Sequence, residues 1–292
     1  MEDEEDPEWS VMFSLEGHEN EVKAAAWSPD DSYLATCSRD KAVWIWEKIE
    51  AASSAAGGDV HDEPVDDDEA FFECASVQTE HSQDVKRVLW HPKLNILVSA
   101  SFDNHILMYV QGDEDWVQFS ALSEHESTVW ALDFNPSGTR LVSASADESI
   151  KVWQPSNFTD VSSLLSASPL PKGSDRKFAE LASKWTIVAS LSGYHQWPIY
   201  DVSWSPLNNC ILTCGADNSL HVFAELRNNI AAEKGEEEEA SENGRVRYRQ
   251  ICVQEEAHDQ DVNSVHWNPK EESQLASGSD DAVIRIWTLH KV

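Results

Sequence analysis

One block of residues recurs five times along this 292-residue chain, and it constrains the fold more than any other feature. Each copy opens on a histidine followed four residues later by Val or Ile. These pairs are His18 and Val22, His81 and Val85, His125 and Val129, His195 and Ile199, and His258 and Val262. Each copy then carries an aspartate, preceded four residues earlier by Ser or Thr and followed six residues later by an aromatic residue. These sets are Thr36, Asp40 and Trp46; Ser99, Asp103 and Tyr109; Ser143, Asp147 and Trp153; Thr213, Asp217 and Phe223; and Ser277, Asp281 and Trp287. Spacing within a block is rigid, whereas the His-to-His intervals are 63, 44, 70 and 63 residues. The shortest interval is the bare repeat. The longer ones carry insertions between units, where loops lie.

Inside each block the apolar residues come in short runs, β-branched or aromatic, bounded by Ser-Pro, Asn-Pro or Asp-containing turns. That pattern predicts short strands joined by tight turns, with no sustained helical period. It also accounts for the 13 tryptophans. The chain carries 53 acidic and 21 basic residues, a formal charge of −32. That charge argues against a nucleic-acid groove and against docking on an anionic membrane. Acid concentrates in Met1–Glu8, Asp59–Glu69 and Glu233–Glu242, segments with too little apolar content to offset the entropy of ordering. They read as solvated tail and loops, with an acidic docking tail as the alternative. Pro155–Ser183 is rich in Ser and Pro and also reads as a loop outside the core. The expected insertions are therefore residues 49–70, 155–183 and 227–247, with residues 1–8 a disordered tail. Five cysteines without a CxxC pair fit a reducing compartment better than a disulfide framework.

With about 40–45 residues per unit, Gly-His early and Trp late, the chain resembles WD40 β-propellers over roughly residues 9–290. The fold expected is therefore all-β, a WD40 propeller with repeats at about 13–47, 72–110, 116–154, 184–224 and 248–288. Ring closure has two readings, five closed blades or a longer ring without its first units. Trp9–Leu15 reads as one strand, and in WD propellers such a strand commonly completes the last blade. The resemblance makes His, Ser/Thr, Asp and Trp a structural tetrad: His18, Thr36, Asp40 and Trp46 in the first block, with the four later sets equivalent. Such a network satisfies buried polar groups and fixes the packing of one blade. A His/Asp/Ser set invites a catalytic-triad reading, but a nucleophile is needed once and this set occurs five times. Tyr109 and Phe223 replace the usual Trp and should weaken the hydrogen bond there.

The wording of individual repeats is more specific. Gly17-His-Glu-Asn-Glu-Val-Lys23 with Cys37-Ser-Arg-Asp-Lys41, and Glu80-His-Ser-Gln-Asp-Val-Lys86 with Trp90-His-Pro92, resemble the third and fourth repeats of the cytosolic iron–sulfur protein assembly WD-repeat family. His125-Glu-Ser-Thr-Val-Trp130, Gly215-Ala-Asp217 and Gly278-Ser-Asp-Asp281 resemble its later ones. That resemblance implies a seven-bladed, non-catalytic adaptor that works with a small adaptor protein and a large HEAT-repeat scaffold. Together these hold apo-client proteins of the cytosol and nucleus during [4Fe–4S] cluster insertion. It implies no cofactor and no metal on this chain. The residues agree, because cluster ligation wants about four convergent thiolates. Cys210 and Cys214 are the only close pair, and all five thiols read as buried and inert.

In WD propellers the residue before the tetrad Asp, and those three and five after the tetrad His, lie near the mouth of one face. Arg39, Phe102, Lys23, Lys86, Trp130 and Tyr200 stand out there, because aromatic residues and Arg dominate interface energetics. Arg39 matches, by its context, an Arg the family uses. Lys23, Arg39 and Lys86 would form a basic island suited to an acidic or carboxylate-ended client segment. The alternatives are that Trp130 only packs a neighbouring blade and that Arg39 is a surface ion pair. The competing function is a WD-repeat receptor of another class, a ubiquitin-ligase substrate receptor or a chromatin-peptide reader. An enzyme is the third reading, and no Gly-rich phosphate loop, HExxH or GxSxG is present.

Overall fold

A computed structural model describes residues 10–50, 71–226 and 246–290. The repeats fold as five antiparallel sheets, each read from the innermost strand outward. Blade one is β1 (Val22–Trp27), β2 (Tyr33–Ser38), β3 (Val43–Ile49) and β4 (Phe71–Gln78). Blade two is β5 (Val85–Trp90), β6 (Ile96–Ser101), β7 (Ile106–Gln111) and β8 (Trp116–Leu122). Blade three is β9 (Val129–Phe134), β10 (Leu141–Ser145), β11 (Ser149–Pro155) and β12 (Trp185–Ser192), with helices α1 (Phe158–Leu165) and α2 (Ser174–Leu181) between the last two. Blade four is β13 (Ile199–Trp204), β14 (Ile211–Gly215), β15 (Leu220–Glu225) and β16 (Tyr248–Gln254). Among the described residues blade five has three strands, β17 (Val262–Trp267), β18 (Gln274–Ser279) and β19 (Ile284–Thr288).

Local chemistry explains the recurring turn between the second and third strands. In every block the tetrad Asp accepts a hydrogen bond from the N–H two residues on, for example Ala42 to Asp40 at 2.9 Å and His105 to Asp103 at 3.0 Å. The residue between them, Lys41, Asn104, Glu148, Asn218 or Ala282, is left-handed, with φ from 60° to 74°. Only two of the five are Asn, so the Asp side chain holds a conformation that Lys, Glu and Ala do not favour. Each innermost strand has a register shift between its first and third residues. Bulges of this kind raise the local twist and re-aim one side chain.

Core residues fall into four clusters, one at each junction between consecutive blades. In blades two to four each sheet lies between two others, so β6, β10 and β14 read as unbroken buried runs.

Three expectations are corrected here. Residues 155–183 are not an outlying loop, since α1 and α2 lie within them. Val161, Leu165, Phe178, Ala179 and Ala182 join the core shared by blades two and three. Helix α2 is further tied to blade two, where Arg176 donates to the carbonyls of Gln111 and Gly112 and pairs with Asp113. Ser10–Leu15 forms no strand and is mostly exposed, so it does not complete blade five; Trp9 lies outside the described residues. The insertions at 49–70 and 227–247 are shorter than expected, since Ile49 belongs to β3 and Val246 donates to the Val188 carbonyl at 2.9 Å. Residues 51–70 and 227–245, and the tail 1–8, lie outside the described residues.

Candidate functional site

The repeated polar residues form one network per blade. Nδ1 of His18, His81, His125, His195 and His258 lies 2.7–2.9 Å from the carboxylate of Asp40, Asp103, Asp147, Asp217 and Asp281 respectively. Nε2 of each lies 2.7–2.9 Å from the hydroxyl of Thr36, Ser99, Ser143, Thr213 or Ser277. The indole N–H of Trp46, Trp153 and Trp287 donates to that same hydroxyl at 3.1, 2.8 and 2.8 Å. Phe223 has no donor to offer, and the buried Tyr109 hydroxyl meets no partner in hydrogen-bond geometry among the described residues. His hydrogen bonds and charge hold the Asp103, Asp147 and Asp217 carboxyls below the usual range against the opposing effect of burial. Every ring nitrogen of these histidines is consumed within its own blade. The network therefore fixes structure and presents no activated hydroxyl at the surface.

The bulge at the head of each innermost strand falls on Lys23, Lys86, Trp130, Tyr200 and Asn263, which are skipped in the pairing to the second strand. These are the positions five residues after the tetrad His. The N–H before each tetrad Asp donates to the carbonyl three residues after the tetrad His: Arg39 to Glu21, Phe102 to Asp84, Ala146 to Thr128, Ala216 to Pro198 and Asp280 to Asp261, at 2.9–3.1 Å. The rim residue before each tetrad Asp is thus bonded to the one three after the tetrad His in every blade.

The structure brings four candidates together across blades two to four. Lys86 Nζ lies 5.4 Å from the Phe102 ring centre and 5.1 Å from that of Trp130. Trp130 meets Tyr200 edge to face at 5.4 Å. Phe102 is half exposed, whereas the buried Trp130 indole N–H finds no hydrogen-bond partner among the described residues. Lys86 is largely covered and pairs with Asp84 at 3.2 Å. Arg39 and Lys23 form a separate group on blade one, where both face Glu21, at 3.5 and 3.8 Å. The expected basic island is therefore corrected: each of its three cations already has a carboxylate beside it. Arg39 remains more than half exposed, and an exposed pair of that length is worth under ~1 kcal/mol.

Sequence reasoning missed the residues beneath this rim. Asp133 of β9 accepts the N–H of Trp204 on β13 at 2.6 Å as well as that of Phe134. Asp201 of β13 accepts the N–H of Val265 on β17 at 2.9 Å and the Ser264 hydroxyl at 3.1 Å. The two carboxylates stitch innermost strands across neighbouring blades. Burial pushes Asp133 up to about 7 and raises Asp201, while the backbone donors and the Arg87 charge pull both back. A lone acid in an apolar run, as in Leu132-Asp133-Phe134, was the available signal.

Among the described residues, His195, Asp217 and His221 are one group close enough to hold a cation. Their donor atoms are already committed: His221 bonds Ser219 and Gln250, and His195 bonds Asp217 and Thr213. Burial and the neighbouring His195 lower His221 to about 4, so the group extends the fourth tetrad. The cysteines partly depart from expectation. Cys37, Cys210 and Cys214 are buried, with burial pushing the Cys37 thiol up to about 12. Cys74 on β4 is exposed and Cys252 on β16 half-buried.

Comparison with known families decides the rest. The WD domain, G-beta repeat family matches residues 9–47, 72–109, 116–154, 185–223 and 250–288, most of the chain. The chain belongs to the WD40 family. Its relatives include the probable cytosolic iron-sulfur protein assembly protein 1 of Neurospora crassa, 31% identical over 96% of this chain and 68% of that protein. The Chaetomium globosum protein of the same name is 32% identical over 96% of this chain and 66% of its own length. The probable cytosolic iron-sulfur protein assembly protein Ciao1 of Culex quinquefasciatus is 37% identical, over 95% of this chain and 97% of its own. These identities place this WD40 chain among the cytosolic iron–sulfur protein assembly relatives. It spans about two thirds of the length of the two fungal ones. No helix among its described residues is long and apolar enough to cross a membrane.

Proposed function

We propose that this chain is a non-catalytic scaffold of cytosolic iron–sulfur protein assembly, presenting apo-client proteins for cluster insertion. The observation that carries this reading is its kinship with proteins named for that process. The tetrads, which hold the residue types hydrolysis would need, serve the packing of blades instead. Its partners are then other proteins of the assembly machinery and their clients, met in the cytoplasm and in the nucleus.

Clients bind at the rim in this proposal. The Arg39 guanidinium is offered to a client carboxylate, which displaces Glu21 at small cost because that pair is exposed. An aromatic side chain of the client packs on Phe102, Trp130 and Tyr200. The test is fluorescence anisotropy with client-tail peptides that end in an aromatic residue and a free carboxylate. Arg39→Glu should abolish binding with the circular-dichroism spectrum unchanged. Arg39→Lys should weaken it about tenfold, because Lys cannot make the bidentate contact. Unchanged affinity for the Glu variant moves the site off this face. Capture of ubiquitin-ligase or chromatin subunits in place of assembly factors would replace the functional reading.

A further inference from the structure

The loop between tetrad histidine and innermost strand differs in blade four from its counterparts. Two residues after the histidine the other blades carry Asn20, Gln83, Ser127 and Gln260, all polar, whereas blade four has Trp197. Two residues before the tetrad Asp the others carry Ser38, Ser101, Ser145 and Ser279, whereas blade four has Gly215. These two differences are coupled. The hydroxyls of Ser101, Ser145 and Ser279 donate to the carbonyls of Gln83, Ser127 and Gln260 at 3.1–3.2 Å, so each holds its loop one side chain away from the second strand. Gly215 has no hydroxyl, and the loop closes onto its backbone instead. A Cβ there would lie 2.3 Å from the Pro198 carbonyl oxygen. Pro198 also biases the residue before it, Trp197, toward extended backbone. The outcome is an indole 60% exposed on a loop with little freedom, three residues before Tyr200 of the aromatic rim.

Charge is graded along the same rim. Its cations, Lys23, Arg39 and Lys86, lie on blades one and two, and its positions on blades three and four carry no charge. Those of blade five are Asp261, Asn263 and Asp280. Asp261 accepts the Tyr200 hydroxyl, and Asp280 accepts the Asn263 amide. Glu21 and Asp84 each have a cation beside them, but among the described residues Asp261 and Asp280 have none.

We propose that Trp197 is a specificity-determining residue of the rim, and that it takes an arginine or lysine side chain of the client. This rests on the rim binding clients as set out above. The client tail then lies with its carboxylate at Arg39, its aromatic residue on the rings of blades two to four, and its basic residue upstream, over Trp197. Indole is the ring that attracts cations most strongly, and a guanidinium plane stacks on it. The occupant follows from charge complementarity. An aliphatic side chain would gain from the indole alone, whereas a cation gains also from the field of Asp261 and Asp280 and from the formal charge of −32.

Fluorescence anisotropy tests this with two peptides that end in an aromatic residue and a free carboxylate, one with arginines upstream and one with alanines in their place. The arginine peptide should bind the parent about fivefold more tightly, by an amount that shrinks as salt is added. Trp197→Gln installs the residue that blades two and five carry at this position, so the fold should be kept. It should weaken the arginine peptide about threefold and leave the alanine peptide unchanged. Trp197→Phe should fall between parent and Gln variant, and Asp261→Asn with Asp280→Asn should weaken the arginine peptide alone. Full affinity of the Gln variant for the arginine peptide overturns the proposal, because the preference is then general attraction to an acidic protein. Equal weakening of both peptides overturns it too, because Trp197 then belongs to the platform every client uses. Binding that depends on Arg39 but shows no arginine preference overturns this inference alone. Failure of both peptides to bind the parent overturns the rim as the client site, and this inference with it.

Discussion

Replacing Phe178 with Ala tests whether the helical insertion is part of the core. Phe178 is fully buried, with its ring 5.0 Å from that of His91 on blade two and 6.4 Å from that of Trp185 on blade three. Val161 and Leu165 of α1 lie in the same cluster. His91 is itself held in place, facing the Gly138 carbonyl at 3.0 Å through Nε2 and accepting the Lys93 N–H through Nδ1 at 3.1 Å. Its surroundings therefore cannot collapse far into the space left by the lost ring. A buried Phe→Ala change into such a site costs about 3–5 kcal/mol, the transfer loss plus the cavity. Equilibrium urea unfolding followed by circular dichroism reads this as a lower midpoint at unchanged slope. Phe178→Leu should lose less than half as much, because it keeps most of the volume. A loss under about 1 kcal/mol for the Ala variant would show that the helices rest on the blades without sharing their core.

Other outcomes follow from the same physics. Asp147→Ala strands the buried His125 Nδ1–H and the N–H groups of Glu126 and Ser149, and should lower stability by about 1–3 kcal/mol in urea titration; an unchanged midpoint would refute a structural role for the tetrad. Gly138 has φ +77°, and a Cβ there would stand 2.1 Å from His91 Nε2, so Gly138→Ala should cost more than about 2 kcal/mol; a neutral result would mean that loop moves freely. Asp133 has a folded pKa raised to about 7, so its ionisation lowers stability as pH rises from about 4 through about 7. Asp133→Asn removes that slope, and the variant should gain on the parent by up to about 4 kcal/mol across the window; parallel pH profiles would refute it. Asp217, lowered to about 2, acts the other way: its contribution is present above about pH 4 and lost as pH falls toward 2.

The strands and tetrads were legible because each signal recurs. The Asp40 turn alone would be an ordinary polar loop, but five copies at fixed offsets specify strand, turn and partner together. The helices were hidden by composition. In Phe158–Leu165 and Ser174–Leu181 the apolar spacing of Val161 with Leu165, and of Phe178 with Ala182, is helical, but it lasts only two turns within a Ser- and Pro-rich stretch. Ser10–Leu15 shows the converse. Its pattern matches that of the outer strands β8 and β12, yet a strand needs an edge to pair with, and periodicity carries no information about whether that edge is near. At the rim, the offsets identified the bulged positions, and the structure shows why they matter: the bulge frees Lys86, Trp130 and Tyr200 from the strand register. Glu21, the carboxylate beside both Lys23 and Arg39, was visible as a residue. Its proximity to Arg39 depends on the bond between the Arg39 N–H and the Glu21 carbonyl, which only the fold reveals.

A row of similar blades unfolds in principle like a one-dimensional lattice, in which each unit is stabilised only by its nearest neighbours. The α1–α2 insertion breaks that equivalence. It leaves blade three between β11 and β12, lays Phe178 against blade two, and anchors there through Arg176 and the Asp175 contact to the Asn95 N–H. Blades two and three are thereby welded into one cooperative unit. Amide hydrogen exchange should then be slowest in β6 and β10, with the last structure to open lying around the insertion.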